Sequence, residues 1–418
     1  MVASRLKPAR IEHVVDGIRL RAQLSAAYAA EGENARGAVR NLLHGALFRG
    51  RMVAKERLES GENGLAVARL LAQVADEVVA ALYDYTTTHI FRARNPTEGE
   101  RFAIVAVGGY GRGELAPSSD LDLLFLRAYK QTPFDESVTE YMLYMLWDMG
   151  LKVGHSSRNI DECLKLARED HTIQTALLEG RRIAGDESLA QELFTRFRKD
   201  VADRDHAAFI TAKLTERDER HARAGASRYM VEPNIKEGKG GLRDLHTLFW
   251  LARRRYGFSQ MREYVEAGVF TNEERNAFRR ALEFLWTVRC HLHFVTGRAE
   301  ERLTFDLQPE LAKRLGYGGR ANQSAVERFM KRYFLVAKEV GALTRTLCAR
   351  LEADHAKQSP KGLQRFLSSG RKRTAPVEAG FFVDGGRLNI ESEDILETPT
   401  NALRLFAIAE KLDLDIHP

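Results

Sequence analysis

A chain of 418 residues that is 44% hydrophobic and 29% charged has apolar side chains enough for two or three compact units with real cores, which excludes a disordered protein. Its net charge of +6 suits an anionic ligand such as a nucleotide, a nucleic acid or an acidic protein, and says nothing about fold. Three cysteines, Cys163, Cys290 and Cys348, are odd in number and widely spaced, which excludes a disulfide framework or a zinc module and fits a reducing compartment, so the cytoplasm is the expected location. The opening stretch carries Glu12 and Asp16 and no apolar export segment, and no apolar run reaches the roughly 18 residues of a membrane span, so no membrane association is expected.

In chain order, residues 11–95 read as helix after helix, with apolar residues at three and four spacing through "GLAVARLLAQVADEVVAALYDYTTTHIF". The cluster "NPTEGE" (Asn95 to Glu100) reads as a turn, and "RFAIVAV" after it as a strand that ends on Gly108 and Gly109. A second strand, "DLDLLFL", follows Pro117. "FDESVTEYMLYMLWDMG" predicts an amphipathic helix closed by Gly150, "LKVGHSS" a third strand, and "NIDECLKLARED" a helix with Asn159 as its N-cap. From about Thr172 to Arg350 the pattern is nearly all helix, broken at "EPNIKEGKGGLRDL" and "RAEERLTFDLQPELAKRLGYGGRANQSA". "HAKQSPKGLQRFLSSGRKRTAP" has the composition of a linker.

The chemistry concentrates in "VGGYGRGELAPSSDLDLLFL" (Val107 to Leu126). Side chains alternate along a strand, so Asp120 and Asp122 point to one face while Leu121, Leu123 and Phe125 point to the other. Two carboxylates so placed suit divalent cations, and two metals about 3.5–4 Å apart form a clamp for in-line displacement at phosphorus. Without a Cβ, Gly108 and Gly109 let the backbone approach a triphosphate and lend it N–H donors. Arg112, Ser118 and Ser119 lie between and complete a candidate phosphate cradle. Taken singly, a Gly-Gly pair is an ordinary strand-ending turn and Asp-x-Asp a solvated strand edge; on successive strands in this order they point to a nucleotide site.

The order Gly-Gly then Ser-Asp-x-Asp resembles the DNA polymerase β-like nucleotidyltransferase superfamily. That resemblance implies magnesium on the aspartates and a nucleoside triphosphate on the glycines. Together with "GLKVGHSSRNIDECLKLARED", "NIKEGKGGLRDLHTLFW" and "VERFMKRYFLVAKEV", the wording resembles the PII uridylyltransferase family over Gly61 to Pro418, and the added motifs separate it from CCA-adding enzymes and poly(A) polymerases. The resemblance implies transfer of UMP from UTP to a tyrosine of the PII nitrogen-regulatory protein, with Mg2+ or Mn2+ as cofactor, PII as partner and no nucleic acid. Two departures stand out. Where a third carboxylate is sought, "LKVGHSSR" offers Lys152, flanked by Asp148 and Asp161. The family's HD hydrolase and ACT sensing domains are expected to be absent, since no His-Asp dipeptide occurs and the chain stops at "DLDIHP", so it reads as the front portion of a longer protein without uridylyl-removing activity.

Lesser motifs carry less. "KEGKGG" lacks the P-loop spacing and reads as a glycine turn feeding a helix near Leu242, with Lys236, Lys239 and Arg243 as candidate substrate or phosphate contacts. "CHLHF" (Cys290 to Phe294) reads as packing rather than a metal site, since helical neighbours at i and i+2 diverge. "RKR" (Arg371 to Arg373) reads as solvated linker. The expected fold is mainly α with an α/β nucleotidyltransferase core, a small mixed sheet, flanked by helical domains: 1–95 helical, 96–200 the core, 201–350 helical, 351–418 linker and the start of the next region. Two other functions stay open: a protein nucleotidyltransferase like the glutamine synthetase adenylyltransferases, and a catalytically silent nucleotide sensor.

Overall fold

A computed structural model describes residues 14–92, 98–225, 227–257, 261–320, 322–358, 375–378, 380–384, 387–412 and 415–416. The first residues of the turn read at Asn95 lie outside them, as does most of the stretch read as linker, with Arg371 to Arg373; that stretch's first four residues are helix and its last two, Ala375 and Pro376, are strand. The chain divides into two units, Met1–Gly341 and Ala342–Pro418.

The first unit opens with α1 (Gly17–Glu31), α2 (Arg36–Glu59) and α3 (Gly64–Tyr85). Asp16 and Asn63 start α1 and α3, each side chain accepting a backbone N–H three residues on. The apolar stripe read in α3 is buried along its whole length, from Leu65 through Val78 to Tyr85. Two glycines set the spacing of this layer. A Cβ on Gly50 of α2 would stand 2.5 Å from Val74, and one on Gly64 would stand 2.3 Å from the backbone of Thr287, so helices approach there with no side chain between them.

A mixed four-stranded sheet follows, in the order β3-β2-β1-β4. β1 (Phe102–Ala106) and β2 (Leu121–Arg127) run antiparallel with Ile104 opposite Phe125, and β2 pairs in parallel with β3 (Val153–Asn159). Between β1 and β2 the chain makes one helical turn, α4 (Gly108–Gly111). α5 (Pro133–Asp148) crosses from β2 to β3, opened by a reciprocal cap between Thr132 and Asp135. α6 (Ile160–Glu169) opens on a matching cap between Asn159 and Glu162, as its sequence predicts. One sheet face, Ala103, Val105, Leu124 and Leu126, is buried with Ile160, Cys163 and Leu164 of α6. After α7 (His171–Leu178) comes β4 (Arg181–Gly185), antiparallel to β1. This strand corrects the nearly all-helical reading from about Thr172 to Arg350, which placed no strand there. It is a half-exposed edge with one strongly apolar β-branched residue, Ile183, and so carries no strand pattern.

Helices complete the unit: α8 (Glu187–Phe197), α9 (His206–Arg223), α10 (Leu242–Tyr256), α11 (Met261–Glu266), α12 (Asn272–Thr296), α13 (Gln308–Arg314) and the first part of α14 (Ala325–Gln358). The expected mainly α fold around a small mixed sheet is what forms. The second unit holds a further sheet, β5 (Ala375–Glu378), β6 (Phe381–Asp384), β7 (Arg387–Ile390) and β8 (Asp415–Ile416), with α15 (Pro399–Leu412) packed on it through Leu405 and Ile408 against Phe381 and Leu388. Among the described residues no helix is long and apolar enough to cross a membrane.

Candidate nucleotide and metal site

Asp122 is the second residue of β2, and Asp120 stands just before the strand. The backbone carbonyl of Asp122 accepts the Val107 N–H at 3.0 Å, and Leu121 N–H donates to the Lys152 carbonyl at 2.9 Å, so the strand is tied on both sides where the carboxylates emerge. Register places Gly154 of β3 beside Asp122, where a Cβ would stand 2.5 Å from Oδ1; a Cβ on Gly108 would stand 3.5 Å from Oδ2. The carboxylate therefore occupies a niche that side chains on its neighbours would fill.

Burial pushes the Asp122 carboxyl above the usual carboxylate range, and the charge of Asp120 pushes it further, while Lys236 opposes both. Among the described residues neither aspartate takes a hydrogen bond or ion pair on its carboxylate. Two interacting carboxylates that no Lys or Arg pairs at ion-pair distance suit a hard divalent ion such as Mg2+ or Mn2+, which accepts oxygen donors. Among the described residues no group of three or more His, Cys, Asp and Glu is gathered for a metal, so the protein offers a pair of ligands. The two flanking acids are engaged elsewhere, Asp148 with Arg36 at 2.8 Å and Asp161 with Arg196 at 2.6 Å.

The glycine turn lies at the carboxylates' side. Gly108 has φ of 59°, which a side chain would strain, whereas a Cβ on Gly109 would have its nearest neighbour at 3.6 Å. The turn uses Gly111 N–H and Arg112 N–H for its own bonds to Val107 and Gly108, leaving the amides of Gly108 and Gly109 outside its own bonding. These groups border a cavity of about 950 Å³ that Asp120, Asp122, Ser119, Lys236 and Arg243 also line.

The predicted residues divide accordingly. Lys236 and Arg243 reach the cavity; Lys239 and the side chain of Ser118 are not among its lining. Ser119 lines it, but its hydroxyl accepts the Ala116 N–H at 3.2 Å. Arg112 is in the wall with its charge already answered: Nε donates to Glu114 at 2.8 Å and Nη1 to Glu179 at 2.5 Å, and Trp250 Nε1 holds Glu179 from α10 at 2.7 Å. Burial alone would lower the Arg112 pKa, but Glu179 and Glu114 outweigh it and raise the value. Arg112 thus braces the glycine turn against α7 and α10.

"KEGKGG" folds as an anchored turn. Asn234 Oδ1 accepts the N–H groups of Lys236 and Glu237, Asp244 accepts Gly240 N–H at 2.8 Å, and Gly240, with φ of 84°, runs so close to Ala337 that a Cβ would stand 2.6 Å from its carbonyl. Arg243 pairs with Glu237 at 3.0 Å, and Arg220 with Asp244. Lys236 is left facing the aspartates; burial lowers its pKa, as do Arg289 and Arg243. Sequence reasoning missed Arg158 of β3, Lys213 of α9 and the Arg289–Glu301 pair, all lining the cavity. Burial alone would raise Glu301, but His293 and Arg289 pull its pKa down to about 2. No local pattern marks these residues, because each reaches the site from a separate helix or strand.

Two family models match the chain: glutamate-ammonia ligase adenylyltransferase over residues 7–142, which takes in β1, the glycine turn and both aspartates, and GlnD PII-uridylyltransferase over residues 208–348. Over 99% of its length the chain is 60% identical to a bifunctional uridylyltransferase/uridylyl-removing enzyme of Phenylobacterium zucineum (strain HLK1). It is 61% identical, again over 99% of its length, to the enzyme of that description from Caulobacter vibrioides (strain NA1000 / CB15N). It covers 45% of either relative, so it spans about half the length of the curated relatives it matches. The resemblance read from the glycine and aspartate motifs therefore extends through the whole chain, which belongs to the bifunctional uridylyltransferase/uridylyl-removing enzyme family.

Proposed function

We propose that this chain transfers UMP from UTP to a tyrosine hydroxyl of the PII signalling protein in the cytoplasm. The hydroxyl gives up its proton to solvent, its oxygen forms the new bond to the α-phosphorus, and the bond from that phosphorus to the departing pyrophosphate breaks. One observation carries the reading: a pair of carboxylates at the start of a strand beside a glycine turn, in a cavity where, among the described residues, neither they nor Lys236 have an ion-pair partner. A bound Mg2+ or Mn2+ supplies neutralisation of the triphosphate and of the leaving pyrophosphate. Asp120 and Asp122 hold it, the backbone at Gly108 and Gly109 admits the phosphates closely, and Lys236 adds a fixed positive charge facing the same point. Arg112 contributes by holding the glycine turn rigid, and Arg243, paired with Glu237, by shaping the wall.

The acceptor and the base rest on the relatives' description and on the uridylyltransferase family match. Uridylyl removal belongs to the relatives' description as well, and we assign it to parts of those proteins that this chain does not match. A second reading, adenylyl transfer to glutamine synthetase, is favoured by the adenylyltransferase match across the catalytic strands. The open acidic pair speaks against a silent sensor. With α-labelled UTP, Mg2+ and PII protein, the wild-type chain is expected to label PII, and Asp120→Ala or Asp122→Ala to lower the rate by several orders of magnitude with the fold intact. Near wild-type turnover by either variant would remove the assignment.

A further inference from the structure

The two aspartates are not held alike. Asp122 sits in the β2 ladder, its carbonyl bonded to Val107, whereas Asp120 ends the loop from Pro117 and precedes the strand. That loop is fixed from outside. Arg51 of α2 donates to the Pro117 carbonyl at 2.7 Å, and the Ser118 N–H donates to Nδ1 of His293, on α12, at 3.3 Å. The His293 side chain has no exposure to solvent. Because Nδ1 accepts from an amide, the ring proton belongs on Nε2, which lies 3.5 Å from Oε1 of Glu301, an electrostatic contact with no hydrogen bond formed. Glu301 is in turn gripped by Arg289, with Nη2 to Oε1 at 2.6 Å and Nε to Oε2 at 3.0 Å. One imidazole therefore joins the loop that delivers Asp120 to the Arg289–Glu301 wall of the cavity.

We infer that His293 is a positioning residue for metal binding, setting the Asp120 carboxylate against Asp122 through the Ser118 amide. This rests on the metal reading of the aspartates. The loop keeps its Ala116–Ser119 turn but sheet register begins only at Leu121, so losing the Ser118 bond loosens Asp120 while Asp122 stays in the ladder. The same geometry explains why a histidine in "CHLHF" reads as mere packing: its partners, Ser118 and Glu301, come from outside its own helix.

Two substitutions separate the roles. In His293→Asn the amide oxygen falls where Nδ1 lies and keeps the Ser118 N–H satisfied. In His293→Gln the longer amide reaches the Nε2 position, faces Glu301, and leaves Ser118 without its acceptor. Mn2+ affinity is read by electron paramagnetic resonance of the free ion with a non-hydrolysable UTP analogue present, and folding by thermal unfolding. The expected result is Mn2+ affinity within about threefold of wild type for His293→Asn and about tenfold weaker for His293→Gln, the scale of one lost hydrogen bond. Equal affinities for the two variants, whether both wild-type or both weakened, would overturn the positioning role, as would a loss confined to thermal stability. A wild-type chain that binds no Mn2+ would instead remove the metal reading on which this one stands.

Discussion

Gly154→Ala tests the site at a residue outside every catalytic motif. Gly154 lies beside Asp122 in the β2–β3 register, and its backbone is not in the left-handed region, so alanine brings no backbone strain. The new Cβ would lie 2.5 Å from Asp122 Oδ1, about 0.9 Å short of the 3.4 Å at which ordinary contact begins. Because the obstructing atom is the end of a side chain, the carboxylate gives way and the strand keeps its place. Alanine also restricts the unfolded chain, worth roughly 0.4–1 kcal/mol in favour of folding. The fold should therefore be unchanged or slightly steadier. A shift of about 1 Å in a group that orients the reaction costs on the order of 100-fold in rate, or about 2.7 kcal/mol of barrier. The assay is label transfer from α-labelled UTP to PII protein over a Mg2+ series, with thermal unfolding alongside. Wild-type turnover in Gly154→Ala would refute the claim that Asp122 must occupy this niche, and a collapsed fold would refute the argument that the carboxylate alone yields.

Asp122→Asn should abolish transfer yet raise the melting temperature of the metal-free chain at pH 7. Burial and Asp120 raise the folded-state pKa, so the ionised carboxylate costs stability above that pKa and not below it; the stability gain should vanish as pH falls through the carboxylate range. Gly109→Ala, where the protein leaves room for a Cβ, should melt like wild type while its KM for UTP rises about tenfold; an unchanged KM would mean that no phosphate approaches there. Arg112→Lys should destabilise the fold by about 3 kcal/mol, because it leaves a buried carboxylate on Glu114 or Glu179 without its partner. A pure KM effect with unchanged melting would restore Arg112 as a simple phosphate ligand.

What was legible follows from how local each signal is. Phe102–Ala106 and Leu121–Arg127 announce themselves as short apolar runs carried by their own residues, and Asn159 as a cap whose partner, Glu162, lies three residues on. The aspartates and glycines were legible for the same reason: one turn joins the two strands. β4 was not, since Arg181 and Arg182 open an edge strand that is only half buried. Nor was β6, although "FFVD" and "RLNI" flank a Gly-Gly pair, because the surrounding composition reads as linker. Arg112 looked like a phosphate ligand because the residue that neutralises it, Glu179, is 67 positions away. His293 is hidden in the same way, its Ser118 contact being 175 positions distant.

The most direct test is a single labelling experiment with the 418-residue chain, Mg2+ or Mn2+, PII protein, glutamine synthetase, an RNA oligonucleotide and either α-labelled UTP or α-labelled ATP. The expected result is label on PII from UTP, little from ATP, none when the acceptor tyrosine is replaced by phenylalanine, and no extension of RNA oligonucleotides at physiological salt. Label carried from ATP to glutamine synthetase, or an extended RNA 3′ end with PII left unmodified, would contradict it.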